Sequence, residues 1–351
     1  MAMNEDEVEL HERLNKLKNI FKTPSGGNVV LVGDVMLDRY IHGYANDLNS
    51  RAPVPVLKET SRYDDIGAAA HVARGLESLG LATSLFSIVG DDDAGVTIID
   101  SLEEENINCS GIVLVEDKVT TVKNRLIASR PSLITKEQLL LRWDIEDDGN
   151  ITEEALQALI DSALEKMEES DVLVISDYGH GVLTDWGTEK LIKAAKEANI
   201  PTICDPKLTG LHRIKGADWV LFQTRGLELL RRRMGASDAS ECAARLLEEN
   251  DWSNLLVLGG EKGVTVYNEE ENEIHVGCTL GQPSQVIGLL DAAAVAVASA
   301  LCLELSSYDV AHLANAACEV IMSTEGRFTL TRTDLSNRLD EVSWNMQISK
   351  R

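Results

Sequence analysis

From about residue 150 the sequence settles into a repeating pattern that few folds satisfy: a helical stretch, a short buried strand, then another helical stretch. Residues 152–168 read as a helix leading to Val172-Leu173-Val174-Ile175-Ser176-Asp177. Residues 187–198 read as a second, leading to Pro201-Thr202-Ile203-Cys204-Asp205-Pro206-Lys207. A short helical unit precedes a strand at 218–222, and a helix at 237–249 precedes Leu255-Leu256-Val257-Leu258. Strands separated by helices of about 10–15 residues run parallel, and the helices cover both faces of the sheet. Val29-Val30-Leu31-Val32-Gly33-Asp34 has the same buried character, so the fold class is α/β. In such sheets ligands gather where strands end. Here the strand ends deliver Asp34, Asp177, Asp205 with Lys207, and Gly259-Gly260-Glu261 to one edge.

Around this sheet the chain offers an amphipathic N-terminal helix, with Leu10, Leu14, Leu17 and Phe21 at helical spacing, ended by Pro24, Gly26 and Gly27. Two long apolar helices are expected at 287–303 and 308–323, and a polar segment at 329–345. The division is an extension over 1–27, one domain over 28–335 and a tail over 336–351. With 351 residues and 44% hydrophobic content the chain has ample material for a core. A formal charge of −25 argues against nucleic acid and against an anionic membrane surface as partners, because like charges repel. The six cysteines are scattered without a C-x-x-C pair, the pattern of reduced thiols in a cytosolic protein. There is no 18-residue apolar run, and the N-terminus is acidic, with no apolar leader. A cytoplasmic location is the expectation.

Several stretches carry candidate chemistry. Ser284–Ala298 turns at Gly288 straight into an apolar helix with one carboxylate, Asp291, in its first turn. A helix N-terminus presents unpaired N–H groups and the positive end of its dipole, which suits an anion, and a carboxylate there is placed to take a proton from a hydroxyl. The same carboxylate also reads as a favourable first-turn charge and nothing more. Asp34 and Asp38 in G-D-V-M-L-D-R-Y are either site residues or a cap and a solvated charge. Residues 40–63, with Pro53 and Pro55, suit an edge strand. Ile66–Leu79 reads as a small-residue helix, suited to close helix packing or to a ligand, with His71 as a substrate contact or a structural histidine. Alternation sets Lys123 and Arg125 on one strand face, where they meet a phosphate or protect an edge by charge.

V-G-D-V-M-L-D-R-Y, A-P-V-P-V, T-T-V-K-N-R with Q-L-L-L-R-W-D, S-D-Y-G-H-G-V-L, D-P-K, G-E-K-G and A-N-A-A follow one another in a familiar order. Over about residues 28–335 the chain resembles the ribokinase-like (PfkB-type) carbohydrate kinases. Within them it is most similar to the D-glycero-D-manno-heptose-7-phosphate kinase domain of ADP-heptose synthesis. The resemblance implies a Rossmann-like, mostly parallel sheet with helices on both faces, and a small β lid from about 40–63 and 117–145. The lid covers the sugar and often forms a homodimer contact. It also implies ATP and Mg2+ as cofactors, with no residue of this chain assigned to the metal. Asp291 would be the catalytic base. Sugar-phosphate contacts would come from Asp34, Asp38, Arg39, Gly67, His71, Lys123, Arg125, Arg142 and Lys207. Nucleotide contacts would come from Gln223, Gly259, Glu261, Gly263, Gly288 and Asn315. The length leaves no room for the nucleotidyltransferase domain often fused to such kinases.

The departures from the family pattern cluster. Its G-A-G-D loop is Gly288-Leu289-Leu290-Asp291 here, and the preceding Asp-x-Thr is Gln285-Val286-Ile287. Its N-x-x-E motif, tied to magnesium and phosphate, is Gln223-Thr224-Arg225-Gly226, and a usual Thr is Leu258. On the sugar side, Gly-Gly-Ala-Ala-Asn is Gly67-Ala68-Ala69-Ala70-His71, the Lys of S-D-Y-x-K-G is His180, and the Glu before A-P-V-P-V is Arg51. Leucine at 290 is expected to bring bulk where a polyanion would sit. Losing an oxyanion-type donor costs on the order of 10²–10³ in rate. Two readings follow. One is a kinase homologue with lost or weakened phosphoryl transfer, acting as a sugar-phosphate sensor or scaffold, as a lid-mediated homodimer or with a protein partner. The other is an active sugar kinase in which Asp34 and Asp38 bind hydroxyls, Lys123 and Arg125 hold the existing phosphate, and Lys207 lies near the transfer centre.

Overall fold

In the computed structural model, which describes residues 5–24, 26–130, 133–146, 151–324, 326 and 328–348, β1 (Asn28–Gly33) is the hub. Its five residues after Asn28 are buried. Val29 and Leu31 enter one core and Val30 and Val32 the other, as strand alternation requires.

The chain leaves β1 for a two-strand excursion, β2 (Val35–Leu48) and β3 (Pro55–Ala68), then enters α2 (Ala69–Leu79), preceded by α1 (Glu5–Ile20) at the start. It continues through β4 (Ala82–Gly90), α3 (Asp93–Glu104), β5 (Asn108–Val115), β6 (Val122–Arg130) and β7 (Leu133–Ile145). Regular alternation follows: α4 (Glu153–Met167), β8 (Val172–Ser176), α5 (Asp185–Ala198), β9 (Thr202–Asp205), β10 (Trp219–Gln223), α6 (Thr224–Met234), α7 (Ala239–Asn250) and β11 (Asn254–Leu258). The hairpin β12 (Val264–Asn268) and β13 (Asn272–Val276) precedes α8 (Leu289–Cys302), α9 (Ser307–Ser323) and α10 (Arg332–Ile348).

The main sheet has nine strands in the order β13-β12-β11-β10-β9-β8-β1-β4-β5. The strands from β11 through to β5 pair in parallel, and β12 and β13 add an antiparallel edge. The chain first builds outward from β1 through β4 and β5, then resumes on β1's other side at β8, so a crevice opens beyond the ends of β1 and β8. Helices α4 to α7 cover one face, and α1, α2, α8, α9 and α10 the other. A second sheet, β3-β2-β6-β7, stands over that crevice as the lid.

Local chemistry fixes the helix ends. Asp92, Thr152, Thr184, Asp238 and Ser306 each accept a backbone N–H from the first turn of the helix that follows. Gly80, Asn199 and Gly235 close α2, α5 and α6 in the left-handed conformation. The small residues of α2 serve packing: a Cβ on Gly75 would lie 2.8 Å from Val295 Cγ2 of α8.

Three expectations change. Ile66–Ala68 finish β3, and the helix starts only at Ala69. Helix α6 follows β10 directly, where R-G-L-E-L-L-R-R-R-M carries apolar groups at helical spacing. The tail from 336 lies inside α10, because Leu335 and Leu339, four residues apart, are both buried. On α10, Ser336 Oγ donates to Lys18 O of α1 at 3.2 Å. All six cysteines are free thiols. Among the described residues no helix is long and apolar enough to cross a membrane.

Candidate active site

Parallel strands end at one edge, so β1, β8, β9, β10 and β11 bring Asp34, Asp177, Asp205, Gln223 and Leu258 there together. Asp34 organises the centre. Its Oδ2 accepts from Tyr178 N at 2.8 Å and His180 N at 3.2 Å, and its Oδ1 from Val182 N at 3.2 Å. Gly179 and Gly181 sit at φ +76° and +95°, a region L side chains disfavour, and this lets the turn aim its amides inward. Asp34 O accepts from Ala69 N at 3.0 Å, tying the start of α2 to the same residue. Buried to 1% exposure, this carboxylate is committed first to holding the 178–182 turn.

The turn reaches the other side of the crevice through Tyr178, whose Oη donates to Asp291 Oδ1 at 3.0 Å. Asp291 lies in the first turn of α8, and Gly288, just before the helix, has φ +84°. Asp291 and Gly288 line a cleft with His71, Gly75, Val295 and Phe328–Leu330. Gly67 is buried at the end of β3, paired with Met36. Asp205 stands among Asp291, Asp177 and Lys207: burial first, then the two carboxylates, push its carboxyl up to about 8, with Lys207 opposing. Burial and then Asp34 raise Asp177, while Gly179 N at 2.8 Å and Arg213 at 3.6 Å pull it back. Asp205 therefore keeps its proton near neutral pH and relieves repulsion in the carboxylate group. The exposed Lys207 lies along Gly179.

The lid register sorts the remaining candidates. Asp65, Asp38, Lys123 and Asp144 form one cross-strand row, and Tyr63, Tyr40, Arg125 and Arg142 the next row on the same face. On that face Arg125 Nη1 donates to Asp38 Oδ1 at 2.6 Å and lies 5.1 Å from the Tyr40 ring. Arg142 pairs with Asp144, its Nε at 2.8 Å. Lys123 is half-buried, and burial first, then Arg142, lowers its pKa, with Asp38, Asp144 and Glu146 opposing. Arg39 is the correction: alternation puts it on the opposite face, bound bidentately to Asp64 at 2.7 Å twice, away from Asp38. That outer face also bears Leu141 and Trp143, each more than half exposed.

At the far end, Gln223 is exposed, and the 3-10 turn 260–262 is closed by Gly259 N donating to Gly263 O at 2.7 Å. Glu261 stands in solvent on that turn. Gly263 admits no side chain, since a Cβ would lie 1.9 Å from Val276 O. The connection from β13 to α8 is fastened to α9 and α10. Ser284 N donates to Met322 O at 2.7 Å, and Asn315 Nδ2 to Gly277 O at 3.4 Å. Gln285 Nε2 reaches Ile321 O and Thr324 Oγ1, both at 3.3 Å, and Gly326 O. Fully buried Glu319 accepts from Thr279 N and Oγ1, and from Arg338 Nε at 2.8 Å. Leucine 290 also departs from expectation: it packs against the core beside buried Leu289, because the first helical turn directs both inward. The bulk at the helix mouth comes instead from Val286 and Ile287, 57% and 78% exposed.

A family model described as pfkB family carbohydrate kinase matches residues 27–332. The chain belongs to that family. Among curated relatives, the bifunctional protein HldE of Pasteurella multocida (strain Pm70) is 32% identical over 316 residues, 89% of this chain and 63% of that protein. HldE of Caulobacter sp. (strain K31) is 32% identical over 329 residues, 93% of this chain and 65% of its own length. The chain thus spans under two thirds of these relatives. Among solved structures, phosphofructokinase-2 from Escherichia coli in complex with fructose-6-phosphate superposes with a TM-score of 0.72 at 18% identity, covering 90% of this chain and 99% of that one. Arabidopsis thaliana ribokinase complexed with ribose and ATP gives 0.69 at 16%, again over 90% and 99%. At such identities these two likenesses bear on the fold, which is ribokinase-like. Kinases of this family use ATP and Mg2+ as a class.

Tyr178, Glu319 and Arg338 were not among the sequence candidates. Glu319 was visible in principle as the one charge inside A-N-A-A-C-E-V-I-M. Arg338 carried no local signal, because its partner is 19 residues away on another helix.

Proposed function

We propose that this carbohydrate-kinase homologue binds a sugar phosphate at the crevice under the lid and has lost or strongly weakened ATP-dependent phosphoryl transfer. The observation that carries this reading is the fastening of the 277–288 connection by its own side chains, Gln285 to the end of α9 and Thr279 to Glu319 with Arg338 behind it. In the family pattern that connection holds the transferring phosphoryl group. Here Thr279 and Gln285 bond within the protein, and Val286 and Ile287 flank the helix mouth. The residues present do not fit a magnesium nucleotide well. The carboxylate of the N-x-x-E motif, tied in the family pattern to magnesium and phosphate, is absent at Gln223–Gly226. The sugar end, in contrast, keeps Asp34, Asp38, Lys123, Lys207 and Asp291 around one crevice.

A second reading, an active sugar kinase, draws on two observations. Asp291 sits beside the open cleft in the first turn of α8, with Gly288 still left-handed. Asn315 Oδ1 is buried with no hydrogen-bond partner, as a nucleotide contact in waiting would be. Calorimetric titration separates the readings. Binding of D-glycero-D-manno-heptose 7-phosphate without binding of Mg-ATP is the expected result. Micromolar Mg-ATP affinity, with sugar phosphorylation that disappears in Asp291→Asn, would overturn the proposal in favour of the active kinase.

A further inference from the structure

The connection between β5 and β6 carries a cation that the sugar-end residues named so far do not include. Lys118 is only 6% exposed, yet it enters no ion pair or side-chain hydrogen bond among the described residues. Lysine is rarely buried to this degree without a partner, because its ammonium loses hydration that nothing replaces. The side chain lines a small polar recess, open to solvent and shared with Thr120, Thr121, His180, Asp34 and three aliphatic groups.

Not every neighbour is free for an anion: Thr120 Oγ1 accepts from Gly90 N at 2.8 Å and gives its own proton to Asp92, so it fixes the loop that carries Lys118. Burial, more than any other influence, lowers the pKa of His180, so its ring is neutral near pH 7 and offers one N–H. The Asp34 oxygens face three backbone amides and are not within ion-pair distance of Lys118. The lid cations are differently placed: Arg125 is spent on Asp38 at 2.6 Å, and Lys123 lies in a row between Asp38 and Asp144. The recess and the Asp291 cleft flank the same 178–182 turn, which contributes His180 to one and the Tyr178 contact to Asp291 in the other.

We propose that Lys118, with Thr121 and His180, is the anchor for the phosphate of a sugar phosphate whose reacting end lies at Asp291. This rests on the sugar-phosphate reading above and adds the residue that recognises the anionic end. A ligand held this way carries its phosphate away from the hydroxyl beside Asp291, as an aldose or ketose phosphorylated on its terminal carbon does, and its unphosphorylated parent lacks the group that Lys118 would hold.

The test is calorimetry on the full chain with heptose 7-phosphate, fructose 6-phosphate, the unphosphorylated sugars and inorganic phosphate. Wild type should bind at least one sugar phosphate. Lys118→Met should weaken that binding by about tenfold or more, the scale of a charge-assisted hydrogen bond, and Lys118→Arg should retain most of it. Removing an unpaired buried charge should leave the melting temperature of Lys118→Met unchanged or higher, and Lys118→Gln serves if the methionine variant misfolds. Wild-type affinity in both neutral variants overturns the Lys118 assignment alone. A wild type that binds none of the sugar phosphates overturns the underlying reading as well. Binding of inorganic phosphate that competes with the sugar phosphate and is lost in Lys118→Met supports the recess as the phosphate site.

Discussion

At the sugar end of the crevice, one buried carboxylate gathers three backbone amides and thereby sets a turn, and Lys207 and Lys118 nearby enter no ion pair or side-chain hydrogen bond among the described residues. At the far end, the connection into α8 spends its polar groups internally, on Glu319, Arg338 and the last turn of α9. Polar groups held in place but unpaired are the mark of a surface prepared for a ligand, since their hydrogen bonds are completed only on binding. Polar groups paired with each other stabilise the chain and leave little for a ligand. The same edge of one sheet thus carries both kinds of construction, and the boundary runs between Asp291 and the connection before it.

The largest expected effect breaks the far end. Arg338→Met leaves Glu319, fully buried, without its cation. Breaking a buried ion pair from one side costs about 3–5 kcal/mol, to be read from urea unfolding. Sugar-phosphate affinity should be untouched, because the polar partners of Arg338 among the described residues are Glu319, Thr279 and Glu341, away from Asp34 and Lys118. A loss below about 1 kcal/mol would place this pair with ordinary surface ion pairs and erase the contrast.

A smaller effect sharpens the sugar end. Ala68, at the junction of β3 and α2, has φ 57° and ψ −132°, a conformation glycine adopts freely and alanine does not. Such strain costs on the order of 1–3 kcal/mol, and glycine's greater freedom in the unfolded chain takes back about 0.4–1 kcal/mol. Ala68→Gly should therefore raise stability by about 1 kcal/mol. A variant less stable than wild type would show that the β3–α2 junction is not strained and that the loss of glycine here is neutral.

That position also illustrates what sequence carries and what it does not. The alternation after residue 150 made the parallel sheet legible, because burial on both faces and helix-length spacing leave little choice. The strand ends that converge at Asp34, Asp177 and Asp205 followed from the same pattern, since parallel strands must end together. Ala68 was legible only as a departure from a family pattern; its backbone angles come from the tertiary junction. The role of Asp34 was harder still, because its three donors lie 144 to 148 residues away, in a turn whose glycines look like any loop's. Arg39 and Arg125 show the limit of local reading: alternation separates them onto opposite faces, but only the register tells which face looks into the crevice. Lys118 gave no signal at all, because burial of a loop lysine is decided by what packs around it.

The smallest effect concerns the carboxylates where the two ends meet. Asp205 is pushed up to about 8, mainly by burial and then by Asp291 and Asp177. Its value in the unfolded chain is about 3.9, so between these limits the native state keeps a proton that the unfolded chain has released, and stability falls as pH rises. The penalty is absent below pH about 3.9 and complete above about 8. His312 of α9 acts in the opposite sense: burial lowers it to about 4. Its unfolded value is about 6.5, so its contribution grows with pH and is complete near that value. The window from about 6.5 to about 8 therefore belongs to Asp205. Across it, wild-type unfolding free energy should decline and that of Asp205→Asn should stay flat. A decline that persists in the variant would place the proton on Asp177, which burial and Asp34 also raise. The shared charge would then belong to the Asp34 turn, and the boundary between the two ends would move from Asp291 back to β8.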